Sequence, residues 1–341
     1  MGRIQLKDRG GLLLGDHISC DGFSCDRPVR VQTHIHSDHM SDFDTSKANQ
    51  TIVMSAETKD LLFAIYNADL PYRSNIIAAG PTEVFDVSGD QVQLVPSNHM
   101  LGSVQVKVTC SDGYKLGYSS DFFWPVGDVI QVDELIVDST YGDPLRVRQY
   151  DQGRVIEKLS EQVCTNFHSG KSVCLIGHNG RLQMALYLVA EFIKIPIIAS
   201  PKAFPLIHSY RQHGYPLPEV LNAASREAID LLRHKTPVLA LVTLNERRHL
   251  PWVDRFCKIH LTGYMSRPKD PVILYDNGDS CIAFTDHADF HGTMEYIQAT
   301  GASTVWTDPR SGNAQALAEA ISNQLGIRSA IVPQLHSLAW G

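Results

Sequence analysis

The stretch Thr33-His34-Ile35-His36-Ser37-Asp38-His39 holds four potential metal donors within six residues. It directly follows a β-rich run, residues 28–32. On extended chain, residues i and i+2 point the same way, so His34 and His36 can present two imidazoles to one ion. Asp38 and His39 then come from the turn beyond the strand and can reach a second ion nearby. Neutral nitrogen donors beside a hard carboxylate suit Zn²⁺, with Mn²⁺ as the alternative. A His-x-His pair alone is a weak signal and reads equally as a polar cluster at a strand end. The full His-x-His-x-Asp-His pattern is far more specific.

Two later residues gain weight beside this motif. His99 follows an apolar run and precedes the Gly102-Ser103 turn; alone it reads as a loop residue. Asp121 ends the stretch Leu116-Gly117-Tyr118-Ser119-Ser120 and alone reads as a turn cap. A dinuclear site needs a third nitrogen for the first ion and an acid that bridges both, and these two residues fit those roles. A pair of ions lowers the pKa of a shared water so that hydroxide exists at neutral pH. That is hydrolysis chemistry, and it does not choose between a lactam, a thioester and a phosphodiester.

The elements that must position these groups are short strands at first. Residues 11–14, 28–32, 51–54, 92–96, 104–109, 114–118 and 135–137 are β-rich and bounded by turn formers, with a helix at 56–66 capped by Ser55. Beyond Pro144 the pattern becomes strand and helix in alternation, which suggests a parallel sheet: helices at 155–166, 181–194 and 219–233, strands at 172–176, 195–199, 238–242 and 258–262. The tail offers strands at 271–275, 280–285 and 303–307 and helices at 292–299 and 313–324. It is too short to be comfortable alone, so it completes the first region, and the middle is an inserted domain. The expected division is 1–144, 145–282 and 283–341.

Composition excludes several classes. With 341 residues, 43% of them apolar and 20% charged, the chain has core enough for about two globular domains. Charges interrupt every apolar stretch before membrane-spanning length, so no membrane association is expected. No secretory h-region follows Met1. Seven scattered cysteines do not read as a disulfide framework, and a reducing cytoplasm is the expected location. A net charge of −7 argues against a protein that coats nucleic acid broadly.

In the order His-x-His-x-Asp-His, then His, then Asp, the chain resembles the metallo-β-lactamase superfamily. Further segments resemble one branch of it. Leu135-Ile136-Val137-Asp138-Ser139-Thr140-Tyr141-Gly142 looks like the acid-Ser/Thr-Thr-Tyr element of the β-CASP nucleases. That group includes the pre-mRNA 3′-end cleavage enzyme, RNase J, Artemis, the cross-link-repair nucleases and bacterial ligase-associated DNA exonucleases. Thr285-Asp286-His287-Ala288-Asp289 looks like their next histidine element, Gly180-Arg181-Leu182-Gln183 like a helix-opening Gly-Arg-x-Gln, and Leu261-Thr262-Gly263-Tyr264 like their Thr/Ser-Gly-Tyr/Trp segment. The resemblance spans nearly the whole chain and implies an α/β fold: a metallo-β-lactamase αβ/βα sandwich with an inserted α/β β-CASP domain.

It further implies one ion held by His34, His36 and His99, a second by Asp38 and His39, and Asp121 bridging. Asp138 becomes an acid that orients a histidine at the site; its bland alternative is a helix cap. His287 becomes a proton donor to the leaving oxygen or a phosphate contact, against the bland reading of a satisfied loop histidine. Arg181 and Tyr264 become substrate contacts; the bland alternative for Arg181 is pairing with a structural acid. Arg146, Arg148, Arg247, Arg248 and Arg267 are further cations that can line a substrate cleft, or be ordinary surface charges.

One departure matters. RNA-cutting relatives have a last strand followed by His-Gly, whereas here Thr304-Val305-Trp306-Thr307 runs into Asp308-Pro309. The DNA-cutting branch lacks that histidine, so the expected activity is a metal-dependent DNA exonuclease acting on single strands through a metal-activated hydroxide, with Asp38 helping to deprotonate it. Asp308 and His336 are the candidates for the missing ligand. The alternatives are an RNA-processing nuclease of the same family and an esterase or thioesterase of the same fold.

Overall fold

The structure is a computed structural model that describes residues 2–7, 10–66, 69–80, 83–263 and 270–335. The chain divides into two compact units, Met1–Val147 with His287–Gly341, and Arg148–Asp286.

The first unit is built on two seven-stranded sheets. One has the order Gln334–Leu335, Ile4–Lys7, Leu12–Leu14, Ile18–Cys20, Val29–Val31, Thr51–Ser55, Ile76–Ala79. The other has the order Arg328–Ile331, Thr304–Thr307, Glu134–Val137, Lys115–Tyr118, Val104–Thr109, Asp90–Pro96, Val84–Val87. Their apolar inner faces meet in one core that includes Leu12, Val31 and Val53 from the first sheet and Val92, Val106 and Ile136 from the second. Helices Phe43–Asn49 and Ala56–Ile65 lie on the outer face of the first sheet. Phe290–Thr300 and Ala314–Leu325 cover the second through Phe290, Ile297, Leu317 and Ile321. The result is an αβ/βα sandwich, because each sheet has apolar side chains on both faces and must bury both.

Local chemistry starts the helices where the sequence signals them. Ser55 accepts from the amide of Thr58 (3.0 Å), Asp289 from that of Gly292 (2.9 Å) and Asn313 from that of Ala316 (3.1 Å). Each side chain takes up one of the amides that a helix start leaves unpaired. The tail completes both sheets of this unit: Thr304–Thr307 pairs parallel to Glu134–Val137, and Gln334–Leu335 pairs parallel to Ile4–Lys7.

The second unit holds a third seven-stranded sheet in the order Leu221–Asn222, Ile197–Ala199, Leu239–Thr243, Val173–Gly177, Cys257–Thr262, Ser280–Ala283, Val272–Leu274. All its pairings are parallel except the last. Fully buried runs such as Val-Cys-Leu-Ile-Gly and Leu-Ala-Leu-Val-Thr suit strands covered on both faces.

The structure corrects three readings of this region. The helix expected over 219–233 begins only at Arg226, capped by Ser225, because Leu221–Asn222 adds a strand to Ile197–Ala199 instead. The helix expected to reach 194 ends at Val189 and passes through a 3-10 turn, Ala190–Phe192; Pro196 lies just beyond and favours extended chain before it. Helix Phe204–Gln212, which periodicity did not reveal, carries Pro205 in its first turn, a start signal in its own right. Among the described residues no helix is long and apolar enough to cross a membrane.

Candidate metal centre

Strand Val29–Val31 is buried throughout, and His36, five residues beyond it, is extended (φ −66°, ψ 147°) before the chain turns through the 3-10 helix Ser37–His39. His34 and His36 therefore come from the segment between strand and turn, and Asp38 and His39 from the turn. His99 sits in the loop between Asp90–Pro96 and Val104–Thr109. Ser103 Oγ fixes that loop by accepting from the amides of His99 (3.1 Å) and Met100 (3.0 Å). Asp121 follows strand Lys115–Tyr118, and Ser97 Oγ donates to its carbonyl (2.8 Å), tying the loops of His99 and Asp121 together.

These side chains converge on the Asp121 carboxylate. His34 Nε2 and His99 Nε2 each lie 3.6 Å from Asp121 Oδ2, and His99 Nε2 is 3.0 Å from His36 Nδ1. His39 Nε2 approaches the other oxygen, Oδ1, at 3.2 Å, and Asp38 Oδ2 is 3.8 Å from that same nitrogen. The donor atoms of His34, His36, His99 and Asp121 fall within 4.8 Å of one another, and so do those of Asp38, His39 and Asp121. Asp121 offers one oxygen to each group.

Hydrogen bonds at the outer nitrogens select the tautomers. His34 Nδ1 donates to Thr33 Oγ1 (3.1 Å), which itself donates to Asp21 Oδ2 (2.8 Å). His39 Nδ1 donates to Asp21 Oδ2 at 2.7 Å. His34 thus keeps Nε2 as a lone pair facing Asp121, and His39 can offer its own Nε2 there once that nitrogen gives up its proton. His34 is fully buried, and its Nε2 has no hydrogen-bond partner. A buried unsatisfied nitrogen is costly, and a divalent ion at this point removes the cost. Four imidazoles and two carboxylates are the donor set that Zn²⁺ or Mn²⁺ accepts. The residues fit the group.

The charges agree with that fit. Burial, helped by the neighbouring His39, pushes His34 well below the ordinary histidine value and keeps it neutral, the form that ligates. Burial also works against charge on His39, but the carboxylates of Asp121 and Asp21 outweigh it and hold this imidazole well above its usual range. Burial disfavours the Asp121 carboxylate, yet His39 and His287 hold it well below the usual carboxylate range. A divalent ion held at His39 Nε2 would have to displace the proton on that nitrogen.

The other expected site residues divide. His287 Nδ1 donates to Asp138 Oδ2 (3.0 Å), and its Nε2 lies 3.8 Å from Asp121 Oδ2. Asp138 Oδ1 accepts from the amide (2.8 Å) and hydroxyl (2.7 Å) of Thr140. Gly312, at φ +63°, passes so close to Ser139 that a Cβ would overlap the Ser139 carbonyl oxygen; only glycine lets the chain approach this loop. In the second unit, Arg181 opens the helix Arg181–Val189 and pairs with Asp286 at 2.6 Å. Tyr264, Arg267 and His336 lie outside the described residues. Asp308 accepts from Arg310 Nε (3.0 Å) and a terminal nitrogen (2.6 Å) of the same guanidinium. Among the described residues it belongs to none of the convergent acid and histidine groups.

Sequence reasoning missed the supports. Asp21 ends strand Ile18–Cys20, whose parallel pairing with Val29–Val31 sets it beside Thr33; its amide donor there is Thr33 N at 2.9 Å. Arg30 is 0% exposed and donates to Gln32 Oε1 (2.7 Å), the carbonyls of Ser41 (2.7 Å) and His39 (3.0 Å), and Ser46 Oγ (3.0 Å). Burial lowers its guanidinium to about 10, still charged at neutral pH. Arg310 continues the frame, donating to Tyr118 Oη (2.6 Å), which donates to Asp21 Oδ2 (3.3 Å). The one available signal was an acid directly after a β-run.

The chain matches no family model. It is 32% identical over 120 residues to an uncharacterized protein in the lig 3′ region of Acidianus ambivalens, covering 34% of this chain and 84% of that one. It is 24% identical over 188 residues to an RNase J-like protein of Methanocaldococcus jannaschii, 48% of this chain and 44% of the relative. Over 324 residues it is 23% identical to a probable DNA ligase of Opitutus terrae, 89% of this chain and 30% of the ligase. The chain thus spans less than half the length of the last two. In fold, it superposes on a protein of unknown function from Enterococcus faecalis with a TM-score of 0.63 at 13% identity, covering 92% of this chain and 81% of the other. The two-sheet sandwich with an α/β unit inserted in its sequence is the metallo-β-lactamase αβ/βα fold, and the motif order together with the RNase J-like relative supports a place in that superfamily's β-CASP branch.

Proposed function

We propose that the protein is a metal-dependent nuclease that hydrolyses phosphodiester bonds of nucleic acid, acting as an exonuclease on single-stranded DNA. The observation that carries this reading is the meeting of two donor groups on the two oxygens of Asp121, with the His287–Asp138 pair beside them. His34, His36 and His99 would hold one ion, Asp38 and His39 a second, with Asp121 common to both; zinc suits the imidazole-rich set, and manganese is the alternative. When bound, such a pair supplies a nucleophilic hydroxide at neutral pH and balances charge on the phosphoryl oxygens.

The chain's own groups do the rest. Asp38, whose side chain is 68% exposed, faces solvent and takes the proton of the attacking water. The water oxygen bonds to phosphorus as the bond to the 3′-oxygen breaks. His287, held by Asp138 through Nδ1, gives a proton from Nε2 to that leaving oxygen, and the product carries a 5′-phosphate. Arg181 would contact phosphate at the start of its helix, and Tyr264 would contact substrate as well.

Two observations favour DNA: Asp308-Pro309 stands where RNA-cutting relatives have His-Gly, and one relative is named a probable DNA ligase. The relative named RNase J-like favours RNA as the second reading. The test is a side-by-side digest of labelled DNA and RNA strands with free and blocked 5′ ends, by wild type and Asp38→Ala. Metal-dependent shortening of single-stranded DNA that Asp38→Ala abolishes supports the proposal. A preference for a small ester or thioester over either polymer overturns it.

A further inference from the structure

The second unit contains a cavity of about 490 Å³ that lies wholly within it. The volume is in the range of pockets that hold a small ligand. Its position follows from the strand order. Val173–Gly177 is the first strand of its sheet in the chain and sits near the middle. From it the chain departs through helix Arg181–Val189 to Ile197–Ala199 on one side, and later crosses to Cys257–Thr262 on the other. Where connections leave in opposite directions, the carboxyl ends of the neighbouring strands open a crevice, the usual ligand position in parallel sheets. Gly177 and His178 from one strand end, and Leu261 and Thr262 from the other, line this cavity.

The lining has two characters. Leu244 (44% exposed) and Tyr275 (50% exposed) supply apolar and aromatic surface that is open to solvent. The same lining carries two guanidinium groups. Arg181 is oriented by its 2.6 Å pair with Asp286, whereas Arg247 makes no hydrogen bond or ion pair among the described residues. The acid of the lining, Asp279, is balanced by Lys258 at 3.3 Å. The cavity is therefore net positive beside an aromatic face, the combination that takes a phosphate and an attached ring.

We infer that this cavity binds one nucleotide of the single strand, with Arg247 and Arg181 on its phosphate and Tyr275 against its base. The inference rests on the nucleic-acid reading above and adds a binding position within the second unit. A strand gripped here is held by a charge and a ring face, so the grip is independent of base identity.

The test is a fluorescence-anisotropy titration of a labelled phosphorothioate oligodeoxynucleotide, in chelator so that no cutting occurs, over a range of salt concentrations. Wild type, Arg247→Ala and Tyr275→Ala are compared, with circular dichroism to confirm folding. Arg247→Ala should weaken binding and reduce the slope of log affinity against log salt by about 0.7, one phosphate contact on a single strand. Tyr275→Ala should weaken binding roughly tenfold at unchanged slope, and an abasic oligonucleotide should erase that difference. If both variants keep wild-type affinity and slope while wild type cuts nucleic acid with metal present, the cavity is no nucleotide site and the nuclease reading stands. If wild type neither binds nor cuts any strand, both fail.

Discussion

Asp21 and His39 are joined at 2.7 Å through Oδ2 and Nδ1, and the same Asp21 oxygen accepts from Thr33, the hydrogen-bond partner of His34. One buried carboxylate therefore sets the ring orientation of a histidine in each of the two donor groups. Asp21→Asn removes the charge that fixes both tautomers at nearly constant volume. Metal affinity should fall roughly ten- to a hundredfold, read by competition with a chromophoric chelator. Wild-type affinity in that variant would show that Asp21 only packs.

Arg30 has a different task. Its guanidinium closes the turn that carries Asp38 and His39 by donating to the carbonyls of His39 and Ser41. Arg30→Met leaves those buried acceptors without a donor and should cost about 3 kcal/mol of stability in metal-free protein. Urea unfolding measures it. A loss below about 1 kcal/mol would mean that water replaces the guanidinium.

His287→Ala separates chemistry from metal retention. If His287 serves the leaving oxygen, activity on a strand should drop about 10²- to 10⁴-fold, while elemental analysis finds the same metal content as wild type. Asp138→Asn should lower activity less, because the imidazole remains but loses its fixed tautomer. Equal activity of His287→Ala and wild type removes the histidine from the mechanism.

His260 supplies a pH test within the second unit. Burial, then the charge of Arg247, lowers its pKa below the ordinary 6.5. Between the folded value and 6.5 the unfolded chain binds more protons, so the contribution of His260 to stability falls as pH drops through that window. Arg247→Ala should move the His260 titration upward, as followed by NMR of the ring carbons. A downward shift or none would mean that Arg247 does not act on this imidazole.

What was legible in the sequence was what lies close together along it. His34, His36, Asp38 and His39 fall in one strand-to-turn passage, so their spacing announces their geometry. His99 and Asp121 needed the idea of a dinuclear site before they stood out, because each ends an ordinary β-run. Asp21, Arg30 and Ser97 were not legible: their partners lie across sheet pairings and loop crossings that spacing does not encode. Asp308 illustrates the same limit from the other side. Its place after the last strand made it a candidate ligand, but a guanidinium two residues on occupies its carboxylate. In the fold, strand and helix alternation identified the inserted parallel sheet, whereas the helix expected over 219–233 yielded to strand pairing at Leu221–Asn222, a tertiary choice.

The central claim is that the two donor groups meeting at Asp121 hold the metal on which strand cutting depends. Equilibrium dialysis of chelator-stripped protein against Zn²⁺, with single-stranded DNA digestion assayed on the same samples, tests it most directly. The expected result is about two ions per chain, cutting that appears only as they bind, and loss of cutting with part of the metal in Asp38→Ala. Full cutting by stripped protein in chelator would contradict the account.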